Sequence, residues 1–127
     1  MSDESLPAGG RRVDKPWGHE LIWALTDRYC GKVIVVESGR RLSLQRHERK
    51  EESILVLSGR LHLHFEDDDG VVRIHELGPG ETWHVPPHRI HRFEAHERVE
   101  LVEVSTPELD DVERLDDDYG REGTSAP

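Results

Sequence analysis

An all-β barrel or jelly roll is the fold this sequence predicts, and three observations predict it. Short runs alternate apolar and polar residues with a period of two. Gly, Pro and Asp turns separate them at regular intervals. No run before residue 107 has the 3.6-residue period of a helix.

The elements follow in order. Residues 1–12 show no apolar periodicity and are expected to be a flexible N-terminus. Pro16 and Gly18 punctuate the chain before a short apolar strand at 21–24. The β-branched stretch 31–36, GKVIVV, is a stronger strand, because branched side chains pack well on a pleated surface. Ser38-Gly39 turns. Residues 42–47 alternate, with Leu42 and Leu44 opposite Ser43, Gln45 and His47. After the charged turn 48–51, residues 52–57 put Glu52, Ile54 and Val56 on one face. Residues 60–65 set Leu61, Leu63 and Phe65 against His62 and His64. A hairpin loop ending in Asp69-Gly70 leads to 71–75. Strands at 81–85, 89–95 and 99–105 complete nine. These runs bound a barrel over 13–106. The tail, 107–127, is acidic, and Leu109, Val112 and Leu115 would share one side of a single short helix.

Composition bounds the partners. The 127 residues form one domain, 35% charged and 34% hydrophobic, with a formal charge of −10. That charge disfavours nucleic acid and anionic membranes by simple repulsion. A single cysteine, Cys30, rules out an internal disulfide and suits a reducing, cytoplasmic setting. No apolar run approaches a membrane span, and the N-terminus lacks the apolar region of a secretory signal.

Nine histidines are present. Most have a plain reading as solvated or barrel-lining polar residues. His47, Glu52 and His91 differ: each lies at a strand end on the phase expected to point inward. A carboxylate inside a barrel is costly unless it is paired or bound to a cation. Two imidazoles and a carboxylate form a three-ligand set for Zn, Fe, Mn or Ni with positions left open for a substrate. The competing reading pairs Glu52 with Arg49 or Lys50 and leaves both histidines as polar lining.

The stretch Gly39…His47-Glu48-Arg49…Glu52…Gly59 and the stretch Gly80…Pro86…His91…Ala95 resemble the two motifs of the cupins. More narrowly, the chain resembles the cupin domain of type II mannose-6-phosphate isomerases, the part that follows the guanylyltransferase domain in the bifunctional enzymes. The similar segments are Lys15-Pro16-Trp17-Gly18, Leu42-Ser43-Leu44-Gln45 with His47, Val56-Leu57-Ser58-Gly59, His91-Arg92, and the tail from Asp110-Asp111-Val112 to Tyr119-Gly120-Arg121. The resemblance implies a double-stranded β-helix with a divalent metal at its mouth, zinc foremost, with manganese, iron or nickel as alternatives. It carries three of the four family ligands onto His47, Glu52 and His91. The fourth position holds Arg49, a permanent cation that cannot ligate a metal. His88 stands nearby in sequence as a replacement.

The activity the resemblance implies is aldose–ketose isomerisation of a sugar phosphate, with mannose 6-phosphate as the leading substrate. Lys50 or Glu103 would carry the proton. Gln45, Arg49 and Arg89 are the expected substrate-binding residues, with Arg46 and Arg92 as further basic groups at the rim. For Glu103 the competing reading is a salt bridge across the barrel; for the basic residues, it is that they offset neighbouring acids. Two other functions stay open: a non-catalytic sugar-binding or regulatory cupin, and a non-haem metal oxygenase. A small-molecule ligand, a homodimer and a cytoplasmic location complete the expectations.

Overall fold

The computed structural model describes residues 6–123. The expected flexible start and the acidic tail reach beyond these, so residues 1–5 and 124–127 of those stretches lie outside the described residues. Within them the chain is all-β, as the alternation predicts. It runs β1 (Arg11–Lys15), β2 (Gly18–Leu25), β3 (Cys30–Val36), β4 (Leu44–Arg46), β5 (Glu52–Ser58), β6 (Leu61–Glu66), β7 (Val72–Leu77), β8 (Thr82–Val85), β9 (His91–Ala95), β10 (Val99–Ser105) and β11 (Glu113–Asp116).

The nine runs read from the sequence are β2 to β10. The two terminal strands are additions. Strand β1 starts at Arg11, inside the stretch expected to be flexible, and pairs with β2 from Arg11↔Ile22 to Lys15↔Gly18. It is an edge strand, largely exposed, and so carries no apolar signal. Strand β11 replaces the expected short helix. It pairs with β4 through Arg114↔Gln45, with a bulge between Arg114 and Asp116. The apolar spacing there is not a helical face: Leu115 is exposed and Arg114 is buried.

Two antiparallel sheets result, ordered β1-β2-β3-β10-β5-β8 and β11-β4-β9-β6-β7. Their facing sides make the core, from Ile34 and Val36 across Leu101 and Val99 to Ile54 and Val56, against Leu61, Leu63, Phe93 and Ala95. The inward phase of β5, Glu52–Ile54–Val56, is the one the alternation predicts, and all three side chains are buried.

The interior is graded along the barrel. Neighbouring inward positions across the first sheet read Val56, Leu101 and Ile34 in one row, then Ile54, Glu103 and Lys32 in the next, then Glu52, Ser105 and Cys30. One end is hydrocarbon and the other holds buried charge. Burying so many ionisable groups is unfavourable unless each meets a partner, which marks this end as the place to seek chemistry.

Candidate metal centre

His47, Glu52 and His91 converge at the polar end. One ligand atom from each lies within 4.8 Å of the others, and all three residues are buried. His47 Nε2 is 3.4 Å from one oxygen of Glu52, and His91 Nε2 is 3.9 Å from the other. The three come from different places: His47 from the turn after β4, Glu52 from the start of β5, His91 from the start of β9.

The tautomers follow from the outer hydrogen bonds. His47 Nδ1 is 2.6 Å from the carbonyl oxygen of Asp111, and His91 Nδ1 is 2.9 Å from that of Arg89. A carbonyl only accepts, so each Nδ1 carries the proton and each Nε2 turns a lone pair inward. Both Nε2 atoms, with Oε2 of Glu52, have no hydrogen-bond partner among the described residues. These three buried atoms thus face one point, with the Lys50 ammonium 3.3 Å from the carboxylate oxygen. That donor set fits a divalent cation, and carbonyls holding the far ring nitrogens are the usual support of metal-bound imidazoles. Burial, foremost, pushes His91 down to about 4, and the neighbouring His47 and Lys50 act in the same sense against the attraction of Glu52, so the ring is neutral near pH 7.

Lys50 adds a second charge arrangement. Its ammonium lies 3.3 Å from Glu52 and 3.0 Å from Glu103, all of it buried. Burial would lower the Lys50 pKa, but Glu103 and Glu52 raise it above its ordinary value. Burial alone would raise Glu52; Lys50, then the imidazoles, hold it well below the usual carboxylate range. Both competing readings at these positions therefore have a counterpart here: Glu52 does pair with Lys50, and Glu103 does form a salt bridge.

The other candidates separate. Gln45 lines a cavity beside His47 and Lys50 and accepts a hydrogen bond from Ser43 Oγ. Arg49 is exposed, and its backbone rather than its side chain is engaged. Arg89 donates to Asp68 and to the carbonyl of Glu66. Arg46 pairs with Glu113, and buried Arg92 holds Leu42 O and Asp116. Exposed His88 stands in the β8–β9 turn with φ 72, outside the three-residue cluster.

Sequence reasoning missed two features. Asp111 accepts the backbone N–H groups of Glu48, Arg49 and Lys50 and so fixes the turn that carries His47 and Lys50. Four basic residues, Lys15, Lys32, Arg114 and Arg121, share the cavity wall with His47, Gln45 and Lys50. The signals for them were the similarity of the segment Lys15-Pro16-Trp17-Gly18 and of the tail, which covers Asp111 and Arg121.

A family model described as mannose-6-phosphate isomerase C-terminal matches residues 3–117. The alginate biosynthesis protein AlgA of Pseudomonas aeruginosa is 32% identical over 114 residues, 86% of this chain and 23% of that protein. The mannose-1-phosphate guanylyltransferase of Escherichia coli is 34% identical over 116 residues, 87% of this chain and 23% of that protein. The chain thus spans about a quarter of the length of these relatives. Among solved structures, an RmlC-like cupin from Shewanella frigidimarina superposes with a TM-score of 0.66 at 18% identity, covering 84% of this chain and 92% of that one. The Bacillus subtilis oxalate decarboxylase, a protein with Mn(II) centres, gives 0.67 at 14% identity over 79% of this chain and 28% of its own. At these identities the likeness is one of fold. No helix among the described residues is long and apolar enough to cross a membrane.

Proposed function

The chain belongs to the family of mannose-6-phosphate isomerase C-terminal domains, and from that membership we propose that it is a metal-dependent cupin that interconverts an aldose phosphate and a ketose phosphate, with mannose 6-phosphate as the first substrate to try. The observation that carries the reading is the convergence of two Nε2 lone pairs and a carboxylate on one buried point. A divalent ion there would supply Lewis-acid polarisation of the substrate oxygens. Zinc suits the set; manganese, iron and nickel are the other ions to test.

The chain's own residues account for the rest. The carbonyls of Asp111 and Arg89 hold both imidazoles in the ligating tautomer. Lys50 and Glu103, 3.0 Å apart, form a proton-holding pair next to Glu52. A proton moved between C1 and C2 of a sugar needs such a group within hydrogen-bond reach. Gln45 offers an amide to sugar hydroxyls from the same cavity wall.

The Lys50–Glu52 contact supports a second reading. An ammonium already sits on the carboxylate, so the site is charge-compensated without a metal. In that case the domain binds a sugar phosphate without turning it over. Metal content measured on protein purified without chelator, with conversion of fructose 6-phosphate to mannose 6-phosphate, decides between them. Stoichiometric metal lost in His47→Ala and His91→Ala, together with turnover, establishes the isomerase. A wild type that takes up no added metal leaves the binding domain. Bound iron with oxygen-dependent turnover would select the oxygenase instead.

A homodimer belongs to the same proposal. Exposed Leu55, Leu57 and Val104 lie on the neighbouring strands β5 and β10 and offer an apolar outer face. A purely monomeric mass by sedimentation at micromolar concentration would refute it.

A further inference from the structure

The wall of the cavity beside the triad carries five basic side chains, Lys15, Lys32, Lys50, Arg114 and Arg121, and one acid, Glu20. The whole chain has a formal charge of −10. A concentration of cations facing one space, in so acidic a protein, requires a reason.

Four of the five have carboxylates near them, Arg114 sharing the field of Asp117 with Arg121. Lys32 lies 3.1 Å from Glu20, Arg121 3.0 Å from Asp117, and Lys50 between Glu52 and Glu103. Lys15 makes no salt bridge among the described residues. Its pKa is lowered, first by burial, then, against the pull of Glu20, by the nearby charges of Lys32, Arg114 and Arg121. Buried Arg114 is likewise pushed down, by burial and then by Arg121, against the pull of Asp117. These groups repel one another into a site of positive potential, which an anion would relieve.

Position ties this site to the triad. Arg114 pairs with Gln45 across β11 and β4, and Gln45 pairs with His91 across β4 and β9. Arg114 and His91 therefore stand two strand spacings apart in one row, roughly 10 Å. That backbone spacing puts both groups on one wall within the span of a single small ligand.

We propose that Lys15, Lys32, Arg114 and Arg121 form a phosphate-binding subsite, which receives the phosphate of the ligand while its carbonyl end faces His47, Glu52 and His91. The planar guanidinium of Arg114 matches phosphate oxygens, while Arg121, its Nε and Nη2 held by Asp117, and the lysines add charge to the wall. Arg49 and Arg89 take no part. The ligand's identity as a sugar phosphate rests on the function proposed above; the anion subsite itself does not.

Calorimetric titration with inorganic phosphate, fructose 6-phosphate and fructose tests it. Phosphate and fructose 6-phosphate bind saturably and fructose far more weakly. Lys15→Gln and Arg114→Gln each reduce phosphate affinity by about tenfold or more, the loss of one charge-assisted contact. Arg49→Gln and Arg89→Gln bind like wild type, and zinc uptake is unchanged in Lys15→Gln. Should Arg114→Gln fail to fold, half-buried Lys15→Gln decides alone. No saturable binding of millimolar phosphate overturns the subsite, as does wild-type affinity in Lys15→Gln, or equal weakening by Arg49→Gln. The two proposals fail separately. Phosphate binding sensitive to Lys15 in a protein that takes up no metal removes only the isomerase. Metal-dependent turnover with phosphate affinity insensitive to Lys15 removes only the subsite.

Discussion

The carbonyl oxygen of Asp111 lies 2.6 Å from Nδ1 of His47, a residue 64 positions earlier in the chain. The carboxylate of the same Asp111 accepts backbone N–H groups from Glu48, Arg49 and Lys50 at 3.2, 2.7 and 3.0 Å. One tail residue thus sets the orientation of a candidate ligand ring and the shape of the turn that carries it.

Asp111→Ala should therefore do two things. Losing the acceptor of three backbone donors destabilises the fold by about 1–3 kcal/mol. A turn left loose weakens the metal site roughly 10–100-fold, the usual cost of losing outer support. Urea unfolding reads the first effect and a zinc competition titration the second. Wild-type zinc affinity in this variant would show that the clamp does not govern the site.

Lys50→Met removes the ammonium between Glu52 and Glu103. Without metal, two buried carboxylates then lose their cation, and stability falls by about 3–5 kcal/mol. Saturating zinc should return much of that loss, since binding to the native state alone stabilises it. Melting curves with and without zinc test this. Turnover, in contrast, stays down by about 100-fold or more even when metal is bound.

Asp117 gives a pH prediction. Its side chain is fully buried and accepts from the backbone and guanidinium of Arg121. Burial alone would raise its pKa, but those bonds hold it below the ordinary carboxylate value. The unfolded chain therefore binds this proton first on acidification. The contribution is fully present above about pH 4 and is lost as pH falls through the folded value. Stability measured from pH 6 to pH 3 should decline less steeply in Asp117→Asn, which starts about 2–3 kcal/mol lower at pH 6 because Arg121 loses its carboxylate. Parallel pH profiles would contradict the assignment.

Gly59 closes the β5–β6 turn with φ +80, and a Cβ there would collide with the carbonyl oxygen of Arg98. Both the left-handed backbone and the close approach exclude a side chain. Gly59→Ala should lose more than about 1 kcal/mol, seen as a lowered denaturation midpoint. Gly70→Ala is the comparison: it has a similar φ, +81, but nothing within 4 Å of the added carbon, so it should lose less.

Much of the fold could be read along the chain because its central strands bury one face and wet the other. The alternation of Leu61, Leu63 and Phe65 with His62 and His64 is the direct imprint of that asymmetry. The terminal strands escaped for the opposite reason. Strand β1 lies at a sheet edge, and β11 buries Arg114 while exposing Leu115, so neither has an apolar face to announce it. Spacing and resemblance found His47, Glu52 and His91, and the structure brings all three together. Neither showed that Arg49 turns to solvent while its neighbour Lys50 turns in, because the direction of one side chain in an irregular turn depends on what grips the turn.

By itself, then, the sequence determined which residues of the alternating central strands face inward, and with that the burial of Glu52 and Glu103, because there a period of two assigns neighbours to opposite faces. The tertiary structure decided who meets them. Sheet register set Lys32 beside Glu103 and Arg114 beside Gln45, and Asp111 drew Lys50 into place from the far end of the chain. Those meetings join residues far apart in sequence, so no local pattern encodes them.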